Sequence, residues 1–195
     1  MTADEIVTEI TRRAWSFGVS VLLAPAAYVE VDGVKCGGFF CGEELKLAVG
    51  VDRDEEQWLG ILLHEYSHLT QWAEDSAIWR EDERVSGGTD DWLSGKPVRN
   101  AKHKIEVRRE LEADCERRTI RLVKELQAPI DLEHYARAAN SYIHFYNVMR
   151  DTRKWYRDGM GPYTRPDILA MCRPTLDRDF SKTPPKLYAA LLTCV

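Results

Sequence analysis

Three polar residues, His64, Glu65 and His68, interrupt an apolar run in DRDEEQWLGILLHEYSHLTQWAED, residues 52–75. On a helix, the spacing H-E-x-x-H stacks two imidazoles about one turn apart, so both can bind a single ion. Imidazole nitrogens suit Zn²⁺, and a catalytic zinc commonly has three protein ligands and one open position. A glutamate beside the first histidine can serve as general base. The sequence therefore predicts zinc as cofactor, His64 and His68 as ligands, and Glu65 as the catalytic residue.

The same three residues could instead be an ordinary part of a helical core. Burying them costs several kcal/mol unless they are paired or metal-bound, which disfavours that interpretation. A capping pair, Asp52 with Glu55, predicts where the helix begins. Apolar side chains surround its axis and predict burial on most sides: Trp58, Leu59, Ile61, Leu62, Leu63, Tyr66, Leu69 and Trp72.

Candidates for a third ligand lie in the segment IEVRRELEADCERR, residues 105–118. Glu110 and Asp114 are four residues apart and share a helix face. Glu110 is the predicted third ligand, and Asp114 is predicted to accept the second ring N–H of a ligating histidine, which fixes its tautomer. Glu112 and Glu106 are alternative ligands. The competing interpretation is a charged helix face exposed to solvent.

These two motifs resemble a known group of enzymes. HEYSH followed by ELEAD is similar to the gluzincins, HExxH metallopeptidases whose third ligand is a glutamate on a later helix. The E-x-E-A-D pattern is similar to that of membrane-associated HExxH peptidases and of the soluble ImmA/IrrE-like group. The small size of the chain also resembles zincin-like HExxH proteins encoded by bacteriophages. The resemblance implies His64, His68 and Glu110 as zinc ligands, Glu65 as base and Asp114 as the supporting acid.

Other HExxH subclasses fit less well. Metzincins carry a glycine and a third histidine where this chain has Gln71 and Glu74. Aspzincins take an aspartate from a GTxDxxYG loop, and GTDDWLSG, residues 88–95, comes close, with Ser94 in place of the tyrosine. Asp91 is therefore a further alternative ligand. A run of Gly and Asp more commonly marks a simple turn.

Around these motifs the sequence predicts an α+β fold in one domain, 1–195. Apolar periodicity predicts helices at 3–16, 105–127 and 132–150, the first of them capped by Thr2 and Glu5. Turn signals and β-forming residues predict strands at 19–24 and 45–51 and a hairpin at 28–35. Between the helices, residues 76–104 are predicted to form a long loop with a short helix. The resemblance implies a zincin-like arrangement, with a small antiparallel sheet on the HExxH helix and a mainly helical C-terminal half.

Composition limits the partners. The formal net charge of −5 argues against nucleic acid as a dominant partner. No apolar run approaches the roughly 20 residues that cross a bilayer, so no membrane partner is predicted. Five cysteines and an N-terminus without a secretory pattern favour a cytoplasmic, reducing location.

The predicted function is zinc-dependent hydrolysis of a peptide or protein substrate. One alternative is a catalytically silent zincin-like protein that binds a protein partner, and another is hydrolysis of a non-peptide amide. His144, Tyr142 and Tyr146 are further residues that could donate to a developing oxyanion.

Overall fold

The computed structural model describes residues 1–31 and 33–195, and of residue 90 it describes the backbone alone. The chain divides into two units. The first unit is Met1–Ser76 with Cys115–Asp131, and the second unit is Ala77–Asp114 with Leu132–Val195.

The first unit opens with helix α1, Ala3–Trp15. Thr2 and Glu5 form the predicted capping box: Glu5 N donates to Thr2 Oγ1 at 3.3 Å, and Thr2 N donates to Glu5 Oε2 at 2.8 Å. Ile6, Ile10 and Ala14 recur at helical spacing and are fully buried. Both the predicted helix and its cap are confirmed.

Five short strands follow: β1 Ser20–Ala24, β2 Val29–Val31, β3 Val34–Cys36, β4 Gly38–Cys41 and β5 Lys46–Gly50. β2 and β3 form the predicted antiparallel hairpin. The other three form a sheet in the order β1-β5-β4, with β1 parallel and β4 antiparallel to β5. The prediction of an antiparallel sheet was wrong for β1, because β1 runs parallel to its neighbour β5.

Helix α2, Glu55–Ala73, carries the HEYSH motif and packs on β4 and β5. Its N-cap is Asp54, which makes no side-chain cap bond, so the predicted Asp52–Glu55 capping pair was wrong. Glu55 and Glu56 place negative charge in the first turn, which favours the helix dipole. The predicted burial of the helix is confirmed, because its leucines have no exposed surface.

The long helix α5, Ala101–Leu126, begins in the second unit and ends in the first. Its part in the first unit lies along α2. Thr119 Oγ1 donates to Ser67 Oγ at 3.0 Å, and Arg118 donates to Thr70 Oγ1 at 3.2 Å. This contact brings residues just after ELEAD to the histidine helix.

The second unit is helical. It contains α3 Ala77–Val85, α4 Thr89–Leu93, the first part of α5, α6 Leu132–Thr152, α7 Pro166–Leu169 and α8 Pro185–Leu191, with 3₁₀ turns at Pro162–Thr164 and Leu192–Cys194. The long loop predicted for 76–104 is largely replaced by α3 and α4. The predicted α+β class and helical C-terminal half are confirmed. Within the described residues, no helix is both long and apolar enough to cross a bilayer.

Candidate metal centre

Helix α2 places His64 and His68 side by side, as the four-residue spacing requires. Their ring centroids are 4.7 Å apart, and the rings stand nearly perpendicular, at 87°. Both side chains are half-buried between α2 and its neighbours. Two histidines one turn apart on the same face of a helix can bind a single metal ion.

A cysteine joins the two histidines. His64, His68 and Cys115 each offer one donor atom, and these three atoms lie within 4.8 Å of one another. Cys115 is the first residue of α5 that belongs to the first unit, and it is fully buried. Nitrogen and sulfur donors form a set that suits Zn²⁺.

The Nδ1 edge of His64 meets two side chains of α5. Glu116 Oε1 lies 3.1 Å from Nδ1, and Cys115 Sγ lies 3.6 Å from it. The Cys115 thiol also donates to the His64 carbonyl oxygen at 3.3 Å. Burial alone would lower the pKa of His64, but its contacts with Cys115 and Glu116 outweigh burial and raise that pKa well above its usual value.

His68 has a corresponding partner on its own helix. Its Nδ1 lies 2.8 Å from Gln71 Oε1, three residues later. Gln71 is fully buried, which is unusual for a glutamine. Each histidine therefore has an acceptor oxygen at its Nδ1.

The second carboxylate oxygen of Glu116 tests whether the site suits a cation. This atom, Oε2, is buried and has no hydrogen-bond partner within the described part of the chain. An unsatisfied buried carboxylate oxygen is costly without nearby positive charge. A divalent cation bound by the His64 ring would supply that charge next to this carboxylate, whose Oε1 lies 3.1 Å from Nδ1.

Glu65 lies on the side of α2 that faces strand β4. A Cβ added at Gly38 would come within 3.2 Å of Glu65 Cγ, so glycine permits this close approach. The charge of Glu65 also contributes, after burial, to raising the pKa of Cys36 on β3. The predicted base is thus half-buried next to the end strand of the sheet.

The predicted carboxylate ligands lie in the second unit. Glu110 is paired with Arg109 at 2.8 Å, Glu106 with Arg150 at 3.0 Å, and Asp91 with Lys96 at 2.7 Å. Glu112 is buried, and Asp114 is half-buried. The roles assigned to these five residues from the sequence stay predictions.

Three residues of the site were missed from the sequence: Cys115, Glu116 and Gln71. Each had a signal. Glu116 follows Glu112 by four residues, the same spacing as the Glu110–Asp114 pair, and Cys115 directly precedes it. Gln71 follows His68 by three residues, which places both side chains on one helix face.

The aromatic and histidine residues of α6 are engaged within the second unit. His144 is 1% exposed, with Nε2 3.1 Å from Asp177 Oδ2 and Nδ1 3.2 Å from Thr183 Oγ1. The Tyr142 and Tyr146 hydroxyls lie 2.9 Å apart, and burial raises the pKa of Tyr142 well above its usual value. The oxyanion role predicted for His144, Tyr142 and Tyr146 stays a prediction.

Comparison of the chain with protein-family models, curated proteins and solved structures gave no match.

Proposed function

We propose that this chain is a zinc-dependent metallopeptidase of zincin-like architecture, with His64 and His68 as metal ligands and Glu65 as general base. The observation that carries the proposal is that α2 holds the His64 and His68 rings side by side, with centroids 4.7 Å apart. A further donor atom, from Cys115, lies within 4.8 Å of theirs. The third ligand is either the Cys115 thiolate or one of the predicted carboxylates: Glu110, with Glu112, Glu106 and Asp91 as alternatives.

The chemistry follows from the residues around the ion. Zinc held by His64 and His68 would supply a Lewis acid and would lower the pKa of its bound water to about 7. Glu65, adjacent in sequence to the ligand His64, accepts the proton of the attacking water and later passes it to the leaving amine. Its neighbours on α2 and β4 partly shield it from solvent, which favours proton transfer inside the site.

The sheet supports a peptide as substrate. β4 is the end strand of the β1-β5-β4 sheet and lies next to Glu65. An extended peptide can add to such an edge through main-chain hydrogen bonds, which would carry a scissile bond past the base. A peptide or protein partner in the cytoplasm is consistent with the free state of all five cysteines.

The competing function is a zincin-like protein that binds a partner without cleaving it. Glu65 distinguishes the two, because a binding protein does not need a base beside a metal ligand. Hydrolysis of a non-peptide amide would use the same residues and differ in substrate alone.

The test measures zinc content and cleavage of a broad peptide library by wild type, Glu65→Gln and the double variant His64→Ala, His68→Ala. We expect about one zinc per chain in wild type and in Glu65→Gln, and none in the double variant. Loss of the base should reduce cleavage about 10²–10⁴-fold. Wild-type protein that binds zinc but cleaves no peptide would favour the binding function. Wild-type protein that binds no zinc would overturn the proposal.

A further inference from the structure

We propose that Glu116 and Gln71 are positioning residues that commit both histidines to binding the metal through Nε2. The inference rests on the proposed zinc site and adds to it the atoms that bind and the groups that orient them. Its basis is that each Nδ1 has a buried acceptor oxygen: Glu116 for His64, and Gln71 for His68.

Glu116 fixes the state of His64. A carboxylate oxygen accepts the hydrogen bond, so Nδ1, at 3.1 Å from Oε1, carries the hydrogen. A metal-bound imidazole keeps one N–H, so a His64 ring with its hydrogen on Nδ1 binds the metal through Nε2. Glu116 is 5% exposed, which protects this hydrogen bond from competition by water.

Gln71 fixes the state of His68 in the same way. Its carbonyl oxygen Oε1 accepts at 2.8 Å, which again places the hydrogen on Nδ1 and the lone pair on Nε2. Gln71 lies one turn after His68 on the same rigid helix and has no exposed surface. Few side-chain conformations are open to it, so it holds the ring orientation as well as the tautomer.

The two contacts come from different elements. Gln71 belongs to α2, as the histidines do, whereas Glu116 belongs to α5. The packing of α5 on α2 through Thr119 and Ser67 therefore sets the position of the His64 ring. Partners of this kind also raise ligand basicity, and losing one typically costs 10–100-fold in metal affinity.

The experiment measures zinc affinity by chelator competition for Glu116→Ala and Gln71→Ala. Glu116→Gln and Gln71→Glu serve as conservative variants that keep an acceptor oxygen. Glu125→Ala is the matched control, because Glu125 lies on α5 in the same unit, with 57% of its side chain exposed. We expect each alanine variant at the site to bind zinc about 10–100-fold more weakly, the conservative variants to recover part of the loss, and Glu125→Ala to match wild type.

A second measurement identifies which ring nitrogen of each histidine binds the metal. Long-range ¹H–¹⁵N spectra of the zinc-loaded wild type should show the hydrogen on Nδ1 and the metal on Nε2 for both histidines. Circular dichroism of the zinc-free variants checks that each alanine protein is folded before its affinity is compared.

The outcomes separate the two proposals. Zinc on Nδ1 of either histidine, or unchanged affinity in both alanine variants, would overturn this inference and leave the proposed function standing. Wild-type protein that binds no zinc would overturn the proposed function and this inference together.

Discussion

At the scale of single residues, Cys115 raises the sharpest question, because a buried thiol next to two histidines can be a ligand or a support. Its sulfur contacts the Nδ1 edge of His64, and the thiol donates to the His64 carbonyl oxygen. Nε2, the nitrogen of His64 proposed to bind the metal, is on the opposite side of the ring from these contacts. We therefore expect Cys115 to lie outside the ligand set.

Cobalt substitution tests this expectation, because a bound thiolate gives an intense charge-transfer absorption. We expect no such band in the Co²⁺ form, and we expect Cys115→Ser to keep its metal with an affinity change well below ~10-fold. Cys41→Ser, which alters a half-buried cysteine on β4, is the control. A charge-transfer band that disappears in Cys115→Ser alone would make the thiolate the third ligand. The metal content of Glu110→Gln and Glu112→Gln, measured in parallel, tests whether either predicted carboxylate is a ligand.

At the scale of elements, the contact between α2 and β4 depends on glycine. A Cβ at Gly38 would lie 2.6 Å from Ile61 Cγ2 and 3.0 Å from the Ala48 carbonyl oxygen, so helix or strand must move. Overpacking of this kind costs about 1–3 kcal/mol. We expect Gly38→Ala to lower the free energy of unfolding by that amount in denaturant titrations.

Gly37→Ala is the matched control for that titration. A Cβ there would lie 2.9 Å from Ile61 Cδ1 and 3.3 Å from Arg53 Nη1, and both are ends of flexible side chains that can turn away. We expect a smaller loss of stability than for Gly38→Ala. Equal losses in the two variants would show that the distance between α2 and β4 is not what requires glycine.

At the scale of the whole molecule, local patterns predicted most helices, and long-range contacts decided what the patterns left open. Apolar periodicity identified α1, α2, α5 and α6. The acids of ELEADCERR contain two pairs at the same spacing, Glu110 with Asp114 and Glu112 with Glu116, and no local rule chooses between them. Only the packing of α5 on α2 shows Glu116 at His64. The parallel pairing of β1 with β5 is likewise a contact between distant segments.

Global stability should carry a pH dependence that originates in the second unit. His144 is buried against Phe180, Asp177 and Thr183. Burial, with a smaller effect from Arg109, lowers its pKa below 6.5 despite the opposing charges of Asp177 and Asp179. The unfolded chain therefore binds a proton more readily than the folded chain as pH falls through 6.5. Stability contributed by neutral His144 is present above that pH and is lost as pH decreases through the folded pKa.

Thermal unfolding of wild type and His144→Gln, from about pH 7.5 to about pH 5.5, tests this sign. At the upper pH, we expect the variant to be less stable by about 1–3 kcal/mol, because Asp177 or Thr183 loses its partner. The difference in free energy of unfolding between the two proteins should decrease toward the lower pH, since only wild type must then keep an imidazole neutral against protonation. His134→Gln, at an exposed position of α6, should follow wild type throughout. A difference in free energy of unfolding that stays constant with pH would contradict the prediction, because His144 would then have the same pKa in the folded and unfolded chains.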